Sequence, residues 1–76
     1  MRRLDELTPG EEARVRAVQA PVRLLRRLFA LGIRPGARVR LLRRAPLGDP
    51  LEVRVGESLV ALRRREARDV VLEDEG

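Results

Sequence analysis

Between Arg26 and Pro50 the chain reads RRLFALGIRPGARVRLLRRAPLGDP. A short apolar helix stops on Gly32, turns through Arg34-Pro35-Gly36, and feeds an alternating strand that ends at Ala45-Pro46-Leu47-Gly48-Asp49-Pro50. Glycine and proline are the strongest local punctuation a sequence has, so this helix, turn, strand and loop order is imposed before any packing is considered. With 76 residues and no cysteine the chain has one small core and no disulfides to support it; a chain of that size buries roughly 60% of its unfolded surface.

The flanking sequence carries the same kind of signal. Leu4 and Leu7 lie three apart and precede Thr8-Pro9-Gly10-Glu11, where proline second and glycine third suit a type II turn. Ala13, Val15 and Ala17 then alternate with Arg14 and Arg16, the period of a strand with one buried face. Pro21 breaks that strand and suits the first position of a helix. From Val22 to Leu31 the residues Val22, Leu24, Leu25, Leu28, Phe29 and Leu31 fall on about half of a helical wheel, which places Phe29 in the core. Gly32 sits where a left-handed residue ends a helix, and Ile33 after it is placed to touch Leu28 in a Schellman ending.

Two further half-buried strands follow, Ala37-Val39-Leu41 and Leu51-Val53-Val55, with the APLGDP loop between them. Gly56-Glu57 reads as a two-residue type II′ hairpin turn. Leu59 to Leu62 is apolar on both faces, which predicts a strand lying under the helix. Arg64 to Ala67 predicts one helical turn, Val70 to Leu72 a last strand, and residues 73–76 a frayed acidic tail. The expected fold is mostly β: a single domain over residues 1–76, built as a closed or nearly closed five-stranded barrel with one short α-helix after the first strand. Closure removes the free edges that such short strands would otherwise expose.

Histidine, cysteine, lysine, tyrosine and tryptophan are all absent, which removes the usual general bases and nucleophiles together. Ser58 and Thr8, the only side-chain hydroxyls, each sit at a turn without a base beside them. The chain is therefore not expected to be an enzyme, and no catalytic residue is assigned. Carboxylates are the only candidate metal ligands, and a borderline transition ion prefers imidazole or thiolate; no metal site and no cofactor are expected, direct ferrous ion binding included. No signal peptide or membrane-length apolar run is present, so a cytoplasmic location is expected.

Seventeen basic residues, all arginine, stand against twelve acidic ones, giving a net charge of +5. That excess favours anionic partners. The clusters are Arg26-Arg27, Arg43-Arg44 and Arg63-Arg64-Arg65, and the bland reading of all three is a solvated surface with ion pairs to Glu52, Glu57 and Glu66. Single-stranded nucleic acids are gripped by aromatic platforms, and Phe29 is the one aromatic residue, so a nucleic-acid partner is not expected. A stiff loop presenting Leu47 beside Arg43, Arg44 and Asp49 reads as a preorganised docking knob, with Arg26 and Arg27 as secondary contacts.

The order Leu4-x-x-Leu7-x-x-Gly10, Arg27-Leu28-x-x-Leu31-Gly32-Ile33-x-Pro35-Gly36, Ala45-Pro46-Leu47-Gly48-Asp49-Pro50, then Ala61-Leu62-Arg63 with Glu66-Ala67 resembles the ferrous iron transport protein A family, FeoA. The resemblance spans essentially the whole chain. It implies an SH3-like barrel and an accessory role in bacterial ferrous iron uptake, with the FeoB-type membrane transporter as partner. The arginine surplus suits peripheral contact with the anionic inner face of the membrane, and barrel edges with an exposed Leu47 are compatible with a homo-oligomer. The competing expectation is a metal-responsive or nucleic-acid-associated regulatory module, like the C-terminal SH3-like domain of iron-dependent repressors.

Overall fold

The computed structural model describes residues 1–73, and the expected tail residues 74–76 lie outside that range. Five strands form one antiparallel sheet: β1 (Glu12–Val18), β2 (Arg38–Arg44), β3 (Leu51–Val55), β4 (Ser58–Leu62) and β5 (Val70–Leu72), in the order β4-β3-β2-β1-β5. A helix, α1 (Val22–Ala30), follows β1, and a single turn, α2 (Arg64–Ala67), joins β4 to β5. The expected mostly β five-stranded architecture with one short helix is present.

Alternation in the sequence becomes burial in the sheet. Ala13, Val15, Val39, Leu41, Leu51, Val53, Val55, Val60 and Leu62 point into one core, while the arginines and glutamates between them stay outside. Register follows: Ala13 faces Val39, Val39 faces Val55, and Leu41 faces Val53, which faces Val60. Two register shifts curl the sheet. One lies between Val15 and Ala17, so the first half of β1 pairs with β2 and the second half with β5; the other lies between Leu41 and Arg43. Such bulges raise the local twist and let a short sheet wrap toward closure.

The turns match their chemistry. Glu11 N–H donates to Thr8 C=O at 3.0 Å with Gly10 at φ +93°, as the type II turn requires, and Val55 pairs with Ser58 across Gly56 at φ +60°. At the end of α1, Ile33 N–H bonds Leu28 C=O and Gly32 N–H bonds Phe29 C=O, each at 2.9 Å, and Ile33 and Leu28 are both fully buried. That is the Schellman ending. Gly32 is held at φ +93°, and a Cβ there would stand 3.3 Å from Val55 Cγ1, so glycine is demanded by conformation and by space.

Three expectations are corrected. Pro21 is the N-cap of α1 rather than its first helical residue, with an extended ψ of 152°. Phe29 is 39% exposed rather than core, and Val22 is 62% exposed. The helix rests on the barrel through Leu28, with Leu24 and Leu31 half-buried, and one residue of helix turns a side chain by about 100°, so Phe29 leaves the seam. Leu59 is 69% exposed because β4 ends the sheet with only its inner face covered; α1 does not lie over the outer one.

The N-terminal segment closes the other end. Leu4 and Leu7, from a 3-10 turn over Leu4–Glu6 and its C-cap, are fully buried in the core. Arg3 bridges to Val71, and Leu72 N–H donates to Arg2 C=O at 2.9 Å, so the free edge of β5 is covered. Glu73, expected in the tail, donates its N–H to Arg14 C=O at 2.8 Å.

Candidate docking site

The Ala45–Pro50 loop is tightly organised by its backbone. Gly48 N–H donates to Ala45 C=O at 2.7 Å and Ala45 N–H to Pro50 C=O at 3.0 Å; Pro46 occupies the second turn position, where its fixed φ fits. The Asp49–Pro50 peptide is cis. Leu47, third in the turn, is 93% exposed, the most exposed large apolar side chain among the described residues. Asp49 does not project with it: its Oδ1 accepts the backbone N–H of Arg64 at 3.0 Å and ties the loop to α2.

The arginines named with the loop meet different ends. Arg43 lies opposite Glu52 in the sheet and pairs with it at 3.3 Å, both side chains being about half exposed. Arg44 turns the other way. Its Nη2 donates to the carbonyl oxygens of Asp5 at 2.5 Å and Leu7 at 2.9 Å, so this half-buried guanidinium clamps the N-terminal segment to β2. On α1, Arg27 pairs with Glu66, while Arg26 is exposed and has no ion pair among the described residues. Glu52 and Glu66 thus take the roles expected of them, and Glu57 makes no ion pair among the described residues.

Of the expected contacts, Arg27 and Asp49 alone meet a group that the sequence offered only as a basic cluster; Arg26, Arg43 and Leu47 do not line its cavities. Arg63, Arg64 and Arg65, with Arg68 and Asp49, line a cleft of about 490 Å³ beside α2. An adjoining groove of about 570 Å³ runs from Arg65 and Arg68 past Arg27 to Leu24 and Pro21. The signal that brings them together was the Arg63-x-x-Glu66 spacing. Glu66 Oε1 accepts the Arg63 N–H at 2.8 Å, forming the one-turn helix that gathers the run around the cleft.

Electrostatics elsewhere serve the fold. Glu11 accepts the backbone N–H of Thr8 at 2.9 Å, Arg2 Nη1 at 2.8 Å and the Thr8 hydroxyl at 3.0 Å. These donors, the Thr8 N–H first, pull its pKa from 4.5 down to about 2. Among the described residues no three carboxylates converge. No helix among those residues is long and apolar enough to cross a membrane.

Comparison with known proteins agrees with the architecture. The FeoA domain model matches residues 2–74. The solution structure of the FeoA protein from Chlorobium tepidum is 40% identical, with a TM-score of 0.91 over 99% of this chain and 71% of that one. The zinc-complexed crystal structure of Stenotrophomonas maltophilia FeoA is 39% identical, with a TM-score of 0.85 over 96% of this chain and 91% of that one. It is described as a prokaryotic SH3 domain protein and a candidate activating factor of ferrous iron transport. A manganese-dependent transcriptional repressor shares the fold at 25% identity and a TM-score of 0.83, over 93% of this chain and 40% of that one. None of the curated proteins gives a significant match. A family model that covers nearly every residue, on a five-stranded SH3-like barrel, places the chain in the FeoA domain family.

Proposed function

We propose that this protein is a cytoplasmic accessory factor of bacterial ferrous iron uptake that docks on the cytosolic side of a FeoB-type transporter and modulates it. The observation that carries this reading is Leu47: a large apolar side chain, 93% exposed, on a turn held by its own hydrogen bonds and by Asp49. A rigid exposed apolar residue loses little conformational freedom on binding, which is how a small surface gains affinity. Arg43 flanks the knob within its pair to Glu52, and Arg26 and Arg27 lie on the secondary surface. Arg44 supports the site from below through the N-terminal segment rather than by touching a partner.

Membership of the FeoA family and the ferrous-transport role attributed to relatives support the choice of partner. The net charge of +5 suits a protein working beside an anionic membrane surface, where each nearby basic residue gains about 1 kcal/mol. The chain's role is recognition, not turnover, since it holds no histidine, cysteine or lysine. Calorimetric titration into the detergent-solubilised transporter from the same organism tests the reading. Saturable binding that Leu47→Arg weakens at least about tenfold, a loss of about 1.4 kcal/mol, is expected. Unchanged binding by that variant, or none by the parent protein, would overturn it, and steeply salt-dependent DNA binding would favour the regulatory alternative instead.

A further inference from the structure

Among the described residues Arg63, Arg64 and Arg65 stand without acidic partners, while Glu66 and Asp49 beside them are engaged by backbone N–H groups and, for Glu66, by Arg27. Glu66 Oε1 takes the N–H of Arg63, Glu66 Oε2 pairs with Arg27, and Asp49 Oδ1 takes the N–H of Arg64. Arg63, Arg64 and Arg65 make no ion pair among the described residues, and Arg68 reaches Asp5 only at 4.0 Å. Four guanidinium groups therefore share one concave cleft in which Asp49 is the single acidic side chain. Like charges gathered in a concavity repel more than on a flat face, and an anion entering it relieves all four at once.

We infer that this cleft and the groove beside it bind an acidic segment of a partner protein: carboxylates on the α2 arginines, and an apolar side chain over Pro21 and Leu24. Charge complementarity carries the choice. Arginine's planar fork matches a carboxylate in a two-bond geometry, which a run of arginines can offer to successive acidic side chains. The two-part shape narrows it further. Arg65 and Arg68 line both cavities, so the charged cleft continues into a groove lined by Arg23, Arg27, Pro21 and the half-buried Leu24, with Glu66, already paired to Arg27, and Asp69 as its carboxylates. An extended peptide with glutamate or aspartate beside one leucine-like residue fits that sequence of surfaces. A flat lipid surface meets arginines that project, not arginines that ring a recess. Apart from Asp49 and Arg27, the site uses residues that the Leu47 loop reading does not, and it stands whichever protein carries the acidic segment.

The test is an amide NMR titration of the whole protein with a blocked peptide of glutamates around a central leucine. A peptide of about eight residues, roughly 26 Å when extended, is used. Expected are saturable shifts confined to residues 63–69, Asp49 and the α1 residues Arg23, Leu24 and Arg27 that line the groove. Each single change Arg63→Ser, Arg64→Ser or Arg65→Ser weakens binding ~2- to 5-fold. Binding fades as added salt shortens the screening length from ~10 Å toward ~3 Å. The matched glutamine peptide does not bind. Shifts mapping instead to the outer sheet around Arg40 and Arg54, equal binding of the glutamine peptide, or binding only to phosphatidylglycerol vesicles would each overturn the assignment. The mapping on the parent protein decides the matter even if a variant fails to fold. The transporter is not in the sample, so a failure here is separable from a failure of the docking reading.

Discussion

The N-terminal segment and the α2 cleft use the same residue type in opposite ways. In the first, guanidinium groups are filled by the fold: Arg44 holds the carbonyls of Asp5 and Leu7, Arg3 donates to Arg68 C=O at 3.2 Å, and Arg2 pairs with the Glu11 carboxylate. In the second, carboxylates serve the main chain of the arginines, and the guanidinium groups remain available. An arginine whose donors are filled by the fold stabilises the barrel, whereas one whose backbone is satisfied by someone else's carboxylate is free to recognise. Net charge alone, the same +1 in every case, does not separate the two.

The comparison breaks most visibly at the apolar root of the N-terminal segment. Leu7→Ala removes a fully buried side chain and is expected to cost about 2–5 kcal/mol in urea unfolding, with the N-terminal segment freed from β5. Arg44→Ala comes next: it leaves two carbonyl oxygens without their donor, at an expected cost of about 1–3 kcal/mol, although the residue is charged and lies on a strand rim.

Glu11→Gln sharpens the comparison by pH. Its carboxyl titrates at about 2 in the folded protein and near 4.5 otherwise, so the unfolded chain binds the proton first as pH falls. The stability it supplies is complete above about pH 4.5 and is lost down to about pH 2. Acid unfolding of the glutamine variant should therefore be flatter across that window than that of the parent protein. The smallest effect on stability belongs to the cleft. Arg65→Ser should leave the unfolding free energy within about 0.5 kcal/mol while weakening capture of the acidic peptide.

Much of the barrel was legible because its signals are local. The turn at Thr8–Glu11, the Gly56-Glu57 hairpin and the Gly32 helix ending each depend on a few adjacent residues, and strand alternation in β2 and β3 is enforced by neighbours on both sides. Phe29 and Leu59 were misplaced for a shared reason. Apolar pattern states what a surface prefers, not whether another element arrives to cover it, and the barrel covers only the Leu28 seam of α1 and the inner face of β4. The fates of Arg43 and Arg44 were equally hidden. Neighbours in sequence, they point to opposite sides of a strand, and what lies there is decided by Glu52 on β3 and by an N-terminal segment some forty residues away. The Arg63–Arg65 run was visible, but its freedom from acidic partners was not, because that depends on Glu66 and Asp49 being occupied elsewhere.

The most direct test of the account follows the guanidinium groups themselves. With arginine side chains isotopically labelled, Nη–H signals are recorded for the protein alone and with the glutamate peptide. Arg2 and Arg44 are expected to be protected in the free protein and unchanged on binding, while Arg63, Arg64 and Arg65 exchange freely until the peptide slows them. Protection confined to the sheet face, or none at the cleft with binding intact, would contradict it.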